Sequence, residues 1–167
     1  MPATYEPIAT TTLGSAASSI TFSTIPGTYT DLRLVLVGSR SASGSSDVFL
    51  RFNADTGTTY SQTILYGDGS AAASARDTSA TKINMTYFGV GLTTGVRFYT
   101  ADIFSYAGST YKTVLLESNE DANGSGYVGR RVGLWSSTSA INQVGLSLSS
   151  GNFATNTTAT LYGILKA

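Results

Sequence analysis

The sequence predicts an all-β protein, an antiparallel jelly-roll-like β-sandwich of about ten strands. Three observations predict it. Apolar and polar residues alternate with period two through most of the 167 residues, and no amphipathic helical block exceeds a turn or two. Turn chemistry recurs between the alternating runs, as in Gly91-Leu92-Thr93-Thr94-Gly95, Ala107-Gly108-Ser109, Asn123-Gly124 and Ser150-Gly151-Asn152. Finally, 25 Thr and 23 Ser supply much of the polar half of the pattern, and β-branched Thr suits a solvated strand face.

Residues 1–13 carry Pro2, Pro7 and a Thr10-Thr11-Thr12 tract, and read as an N-terminal arm or an edge strand. Residues 14–167 read as a single β-sandwich domain. Ile20 and Phe22 alternate with Thr21 and Ser23 until Ile25-Pro26-Gly27 breaks the run. Leu32, Leu34 and Leu36 share one face of the next strand, with Arg33, Val35 and Val37 on the other. After the small-residue loop Ser41–Ser46, Val48, Leu50 and Phe52 alternate with Phe49, Arg51 and Asn53. Further strands are expected at Thr63–Tyr66, Ile83–Val90, Val96–Tyr106, Tyr111–Glu117, Tyr127–Ser136, Gln143–Leu148 and Ala159–Leu165. The Ala-rich stretch from Gly67 to Thr81 reads as a long loop and hence a candidate contact element.

Composition excludes several kinds of chemistry. The chain has no His and no Cys, so it lacks a side chain whose ordinary pKa lies near neutrality, a thiolate nucleophile and any disulfide. Lys plus Arg and Asp plus Glu both total 10, giving no basic excess for nucleic-acid binding. Near-zero net charge instead suits dense packing beside copies of the same chain. The N-terminus has no basic region followed by an apolar stretch, so no signal peptide is expected. The longest apolar run, Leu34–Val37, is far short of the roughly 20 residues a membrane helix needs, and no membrane partner is expected.

Four motifs invite a chemical reading. Asp55-Thr56-Gly57 is the triplet of aspartic proteases, but Asn53-Ala54 stands where an apolar strand should lead into the Asp, so it reads as a turn. Asp121-Ala122-Asn123-Gly124-Ser125-Gly126 matches the first half of a calcium loop, whereas Val132 occupies the position of the bidentate acid. A hairpin turn, or a loose surface site helped by Glu117 and Glu120, remains open there. Gly89-Val90-Gly91 with Gly95 misses the dinucleotide fingerprint and has no helix to receive a phosphate. No carboxylate pair is nominated by spacing among Asp47, Asp68, Asp77, Asp102 and Glu117. No catalytic residue, metal ligand or cofactor is expected. The binding candidates are aromatic: Tyr127, Arg131 and Trp135 fall on one side of their strand, either facing the core or forming an exposed binding strip. Tyr5, in the N-terminal segment, joins them.

The two ends of the chain carry a resemblance. Thr4-Tyr5-Glu6-Pro7-Ile8-Ala9, Ile20-Thr21-Phe22 and Tyr29-Thr30-Asp31-Leu32-Arg33-Leu34 at one end, with Val144-Gly145-Leu146-Ser147-Leu148 and Leu161-Tyr162-Gly163-Ile164 at the other, resemble a group of tailed-bacteriophage structural proteins. The resemblance implies a β-sandwich on the virion exterior, with other virion proteins as partners and a homo-oligomer, such as a trimer, as its state. The chain shows no heptads, collagen-like repeat or second domain to make a fibre shaft. The expectation is therefore a non-enzymatic capsid decoration (cement) protein. The alternative is a tail-fibre or other tail component that binds host-surface carbohydrate. The middle of the chain, Phe52–Ser109, carries no resemblance.

Overall fold

The computed structural model describes residues 4–86, 91–121 and 126–165. Among them there is no helix; twelve strands form two antiparallel sheets. In chain order the first six are β1 (Tyr5–Thr12), β2 (Ser19–Phe22), β3 (Asp31–Gly38), β4 (Val48–Phe52), β5 (Tyr60–Gly67) and β6 (Ala72–Ala80). The rest are β7 (Ile83–Asn84), β8 (Arg97–Phe104), β9 (Lys112–Asp121), β10 (Gly126–Trp135), β11 (Val144–Leu148) and β12 (Thr158–Ile164).

The larger sheet has the order β1-β12-β3-β8-β9-β10-β5-β6 and the smaller β2-β11-β4-β7. The chain changes sheet at every step from β1 to β5, again on either side of β7, and again on either side of β11. Two hairpins, β5–β6 and β9–β10, extend the larger sheet beyond this shared framework. One apolar core joins the sheets. Leu32, Leu34 and Leu36 of β3 and Tyr99, Ala101 and Ile103 of β8 meet Leu50 and Phe52 of β4 and Val144 and Leu146 of β11. Strict alternation on β3 and β4 places every second residue in that core, as a two-layer fold requires.

One strand was not legible as a strand, and of the two readings of residues 1–13, arm or edge strand, the structure takes the second. Residues 72–80, expected within a loop, form β6, hydrogen-bonded to β5. Asp68 makes this possible: its Oδ1 accepts from the N–H of Ser70 (2.8 Å) and of Ala71 (2.9 Å), tightening the turn at Gly69 (φ 88°). Pairing with β5 then overrides the weak strand propensity of Ala and Ser. Residues 5–12 form β1, the opposite edge strand, paired along β12 from Tyr5↔Ile164 to Thr12↔Thr158. Pro7 and an adjacent register shift lie on this edge, where both hinder pairing with another chain.

Candidate functional site

Tyr127, Arg131 and Trp135 do share one side of β10, and that side faces inward: they are 7%, 5% and 2% exposed. An exposed strip is therefore not what the row forms. The physical reason is volume. Gly129 and Gly133 stand between the three large side chains, and a Cβ at Gly133 would lie 2.8 Å from Ile83 Cδ1, so β7 packs into the space glycine leaves. Tyr5 is about half exposed on β1.

Trp135 is held by an acid. Its Nε1–H donates to Asp55 Oδ2 (2.7 Å), and its ring stacks on Tyr60 and tilts against Phe52. Asp55 also accepts from Thr59 Oγ1 (2.7 Å) and from the Gly57 N–H (2.8 Å). These bonds, from Thr59 first and then Trp135 and Gly57, hold the carboxyl below its ordinary pKa. The Asp-Thr-Gly triplet is thus a turn pinned to the only tryptophan. Its entry is a tight turn as well: Asp55 N–H donates to Phe52 O (2.9 Å), with Asn53 and Ala54 both at positive φ. Gly91 answers a close approach, since a Cβ there would lie 2.2 Å from Ser46 O. Its neighbours Gly89 and Val90 fall outside the described residues, as do residues 122–125 of the calcium-like loop.

Arg131 enters a corner where the edges of the two sheets converge. Its Nη1 donates to Gln62 Oε1 (2.7 Å) and its Nη2 to Thr86 O (2.6 Å). Gln62 Oε1 also accepts from the Asn84 N–H (2.9 Å), while Gln62 Nε2 donates to Asp77 Oδ2 (2.7 Å). Gln62 therefore gives edge strand β7 the acceptor that a neighbouring strand would have supplied. Thr86 Oγ1 donates to Asp47 Oδ1 (2.5 Å). Burial pushes the Arg131 guanidinium down to about 10, against the opposing pull of Asp77 and Asp47. Asp47, Asp77, Lys82, Asn84 and Arg131 line one cleft of about 460 Å³ at this corner. Of this group sequence reasoning nominated only Arg131 as a binding residue, and it found no pairing for Asp47 or Asp77. The available signal was Gln62 and Arg131 at inward positions of their strands, polar residues that a core must satisfy.

The opposite side of the extended sheet has another character. Leu65, Val128 and Val132 are 62%, 60% and 49% exposed there. An apolar depression is bordered by Leu65, Val128 and Ala72. Two ion pairs lie on this face, Arg130 with Glu117 and Arg33 with Asp102 at 3.5 Å, while exposed Arg76 of β6 donates its Nε–H to Thr63 Oγ1 (3.1 Å). Among the described residues no group of three His, Cys, Asp or Glu stands together to hold a metal ion. No family model, curated protein or solved structure matches this chain.

Proposed function

We propose that the chain is a non-enzymatic structural protein of a bacteriophage virion, a capsid decoration protein that binds its neighbours through the outer face of the larger sheet. The observation that carries this reading is the exposure of Leu65, Val128 and Val132 on that face. Large apolar side chains grouped on one sheet face are the usual mark of an assembly surface. Burying a standard interface hides about 1,600 Å² in total, and repetition over many equivalent sites multiplies weak contacts into firm attachment.

Two further features support it. The segments that resemble phage structural proteins fall in β1, β2, β3, β11 and β12 and their approaches, which neighbour one another as β1-β12-β3 and β2-β11. The eight strands β1-β12-β3-β8 and β2-β11-β4-β7 have the order of a jelly roll, and we read the framework as one. The added hairpins β5–β6 and β9–β10 carry Leu65, Val128 and Val132, and framework strands β3 and β8 add Val37, Phe98 and Phe104 to the same face, so the proposed contact surface runs across both parts of the sheet.

The test is incorporation into particles. A Leu65→Asp/Val128→Asp double variant should fold, because both side chains are more than half exposed, and should be missing from purified virions. Full occupancy by that variant would overturn the proposed surface. Copy number separates head from tail: many copies per particle, counted by quantitative mass spectrometry, supports the shell, and a few support the tail component. Deleting residues 1–13 is a poorer test, because it also removes edge strand β1, whose Ile8 packs on the core.

A further inference from the structure

The corner cleft holds polar groups that the fold leaves unspent. The hydrogen bonds that close the corner engage Asp47 Oδ1 and Asp77 Oδ2, leaving the second oxygen of each carboxylate to accept from a ligand. Lys82 stands over the Phe49 ring, its Nζ 3.8 Å from the centroid, and no ion pair among the described residues includes it. Loss of hydration pulls its ammonium below the ordinary lysine pKa. The ring face holds the ammonium in place, so the N–H donors turned away from it are presented at little further entropic cost.

The charges in the cleft cancel: Asp47 and Asp77 contribute −2, Lys82 and Arg131 +2. That balance decides the ligand class. A free anion meets two carboxylates. A divalent cation meets two fixed positive charges and no third acid. An ammonium ligand gains little, because buried Arg131 already acts on both carboxylates. Adjacent hydroxyl groups, each able to donate and accept, satisfy carboxylate oxygens and an ammonium together without adding charge. The volume, about 460 Å³, lies in the range of small-ligand sites.

We propose that the cleft between β4–β7 and β5–β6 binds a neutral saccharide unit, with Asp47 and Asp77 accepting from its hydroxyls and Lys82 donating to them. This site lies apart from the apolar face and does not depend on the assembly reading.

The experiment is saturation-transfer NMR on the full chain with glucose, galactose and N-acetylglucosamine at millimolar concentration, followed by a glycan array. Two variants localise any signal. Asp47→Asn keeps Oδ1 for Thr86, and Lys82→Met removes the charge with an unbranched side chain from a residue outside the hydrogen bonds that close the corner, so both preserve it. Each should weaken binding by about tenfold or more, the loss of one charge-assisted hydrogen bond. Unchanged Trp135 fluorescence would show that the fold is intact. Three outcomes overturn the proposal: no saccharide binds, binding survives both substitutions, or a zwitterion such as glycine binds where saccharides do not.

Discussion

Replacing Asp55 by Ala tests how the turn after β4 is tied to the core. Three donors lose their acceptor at once: Trp135 Nε1 at 2.7 Å, Thr59 Oγ1 at 2.7 Å and the Gly57 N–H at 2.8 Å. They are not equivalent. Gly57 is exposed and Thr59 only half-buried, so water can replace Asp55 for both. Trp135 is 2% exposed, and its indole N–H would be stranded. An unsatisfied buried donor costs about 1–3 kcal/mol, and the lost charge-assisted bonds bring the whole to about 3 kcal/mol. Urea unfolding followed by tryptophan fluorescence measures this directly, because Trp135 is the only tryptophan. A loss below about 0.5 kcal/mol would refute the reasoning, since that is the range of an indifferent surface substitution.

Acid adds an independent check. The folded-state pKa of Asp55 is depressed, so its stabilisation is complete above the ordinary carboxylate value and is lost as pH falls through the lower, folded value. Asp55→Asn has no such proton to take up. The stability gap between wild type and Asp55→Asn should therefore narrow as pH is lowered through the acid range. A gap that stays constant would mean that the charge of Asp55 contributes nothing.

Two glycine positions give simpler tests. Asn53 and Ala54 both sit at positive φ in a turn closed by the Asp55 N–H, a geometry that favours Asn-Gly, so Ala54→Gly should raise stability by about 0.5–1 kcal/mol in urea unfolding despite its added chain entropy. Gly133→Ala should lower it by about 1–3 kcal/mol, because the new Cβ would sit 2.8 Å from Ile83 Cδ1. Ile83→Val removes that methyl group and should recover part of the loss when the two changes are combined; simple additivity of the two costs would speak against the contact.

Much of the sandwich could be read from period-two alternation, as on β3, where Leu32, Leu34 and Leu36 take one side and Arg33, Val35 and Val37 the other. β6 could not. Its residues, Ala-Ala-Ser-Ala-Arg-Asp-Thr-Ser-Ala, have no apolar face, and only the backbone of β5 makes them a strand. β10 was legible as a strand but not in orientation, since both its sides hold apolar residues: Tyr127 and Trp135 on one, Val128 and Val132 on the other. The glycines decide it. A strand side reading Tyr-Gly-Arg-Gly-Trp leaves room for the facing sheet, and the side reading Val-Arg-Val-Leu does not. The corner cleft was beyond reach for another reason. Asp47, Asp77 and Lys82 come from three separate segments, and only the convergence of β7 with β5 and β6 brings them together.

The outer face shows why a chain with no net charge still carries charged residues there. Arg130–Glu117 and Arg33–Asp102 are each internally neutral, so these four side chains meet a partner without uncompensated charge, whereas Arg76 on the same face is bonded to the Thr63 hydroxyl and keeps its charge. Burying such pairs roughly breaks even against their lost hydration, which makes them a poor source of affinity. Affinity on this face must then come from its apolar residues, Leu65, Val128 and Val132 with Val37, Phe98 and Phe104, whose burial is favourable in any orientation. Orientation is what apolar contacts cannot specify, and the ion pairs supply it: a misplaced partner would leave one member of a pair buried against the wrong neighbour, at a cost of several kcal/mol. Apolar residues that hold and paired charges that align are what a surface needs when it must fit the same position many times over.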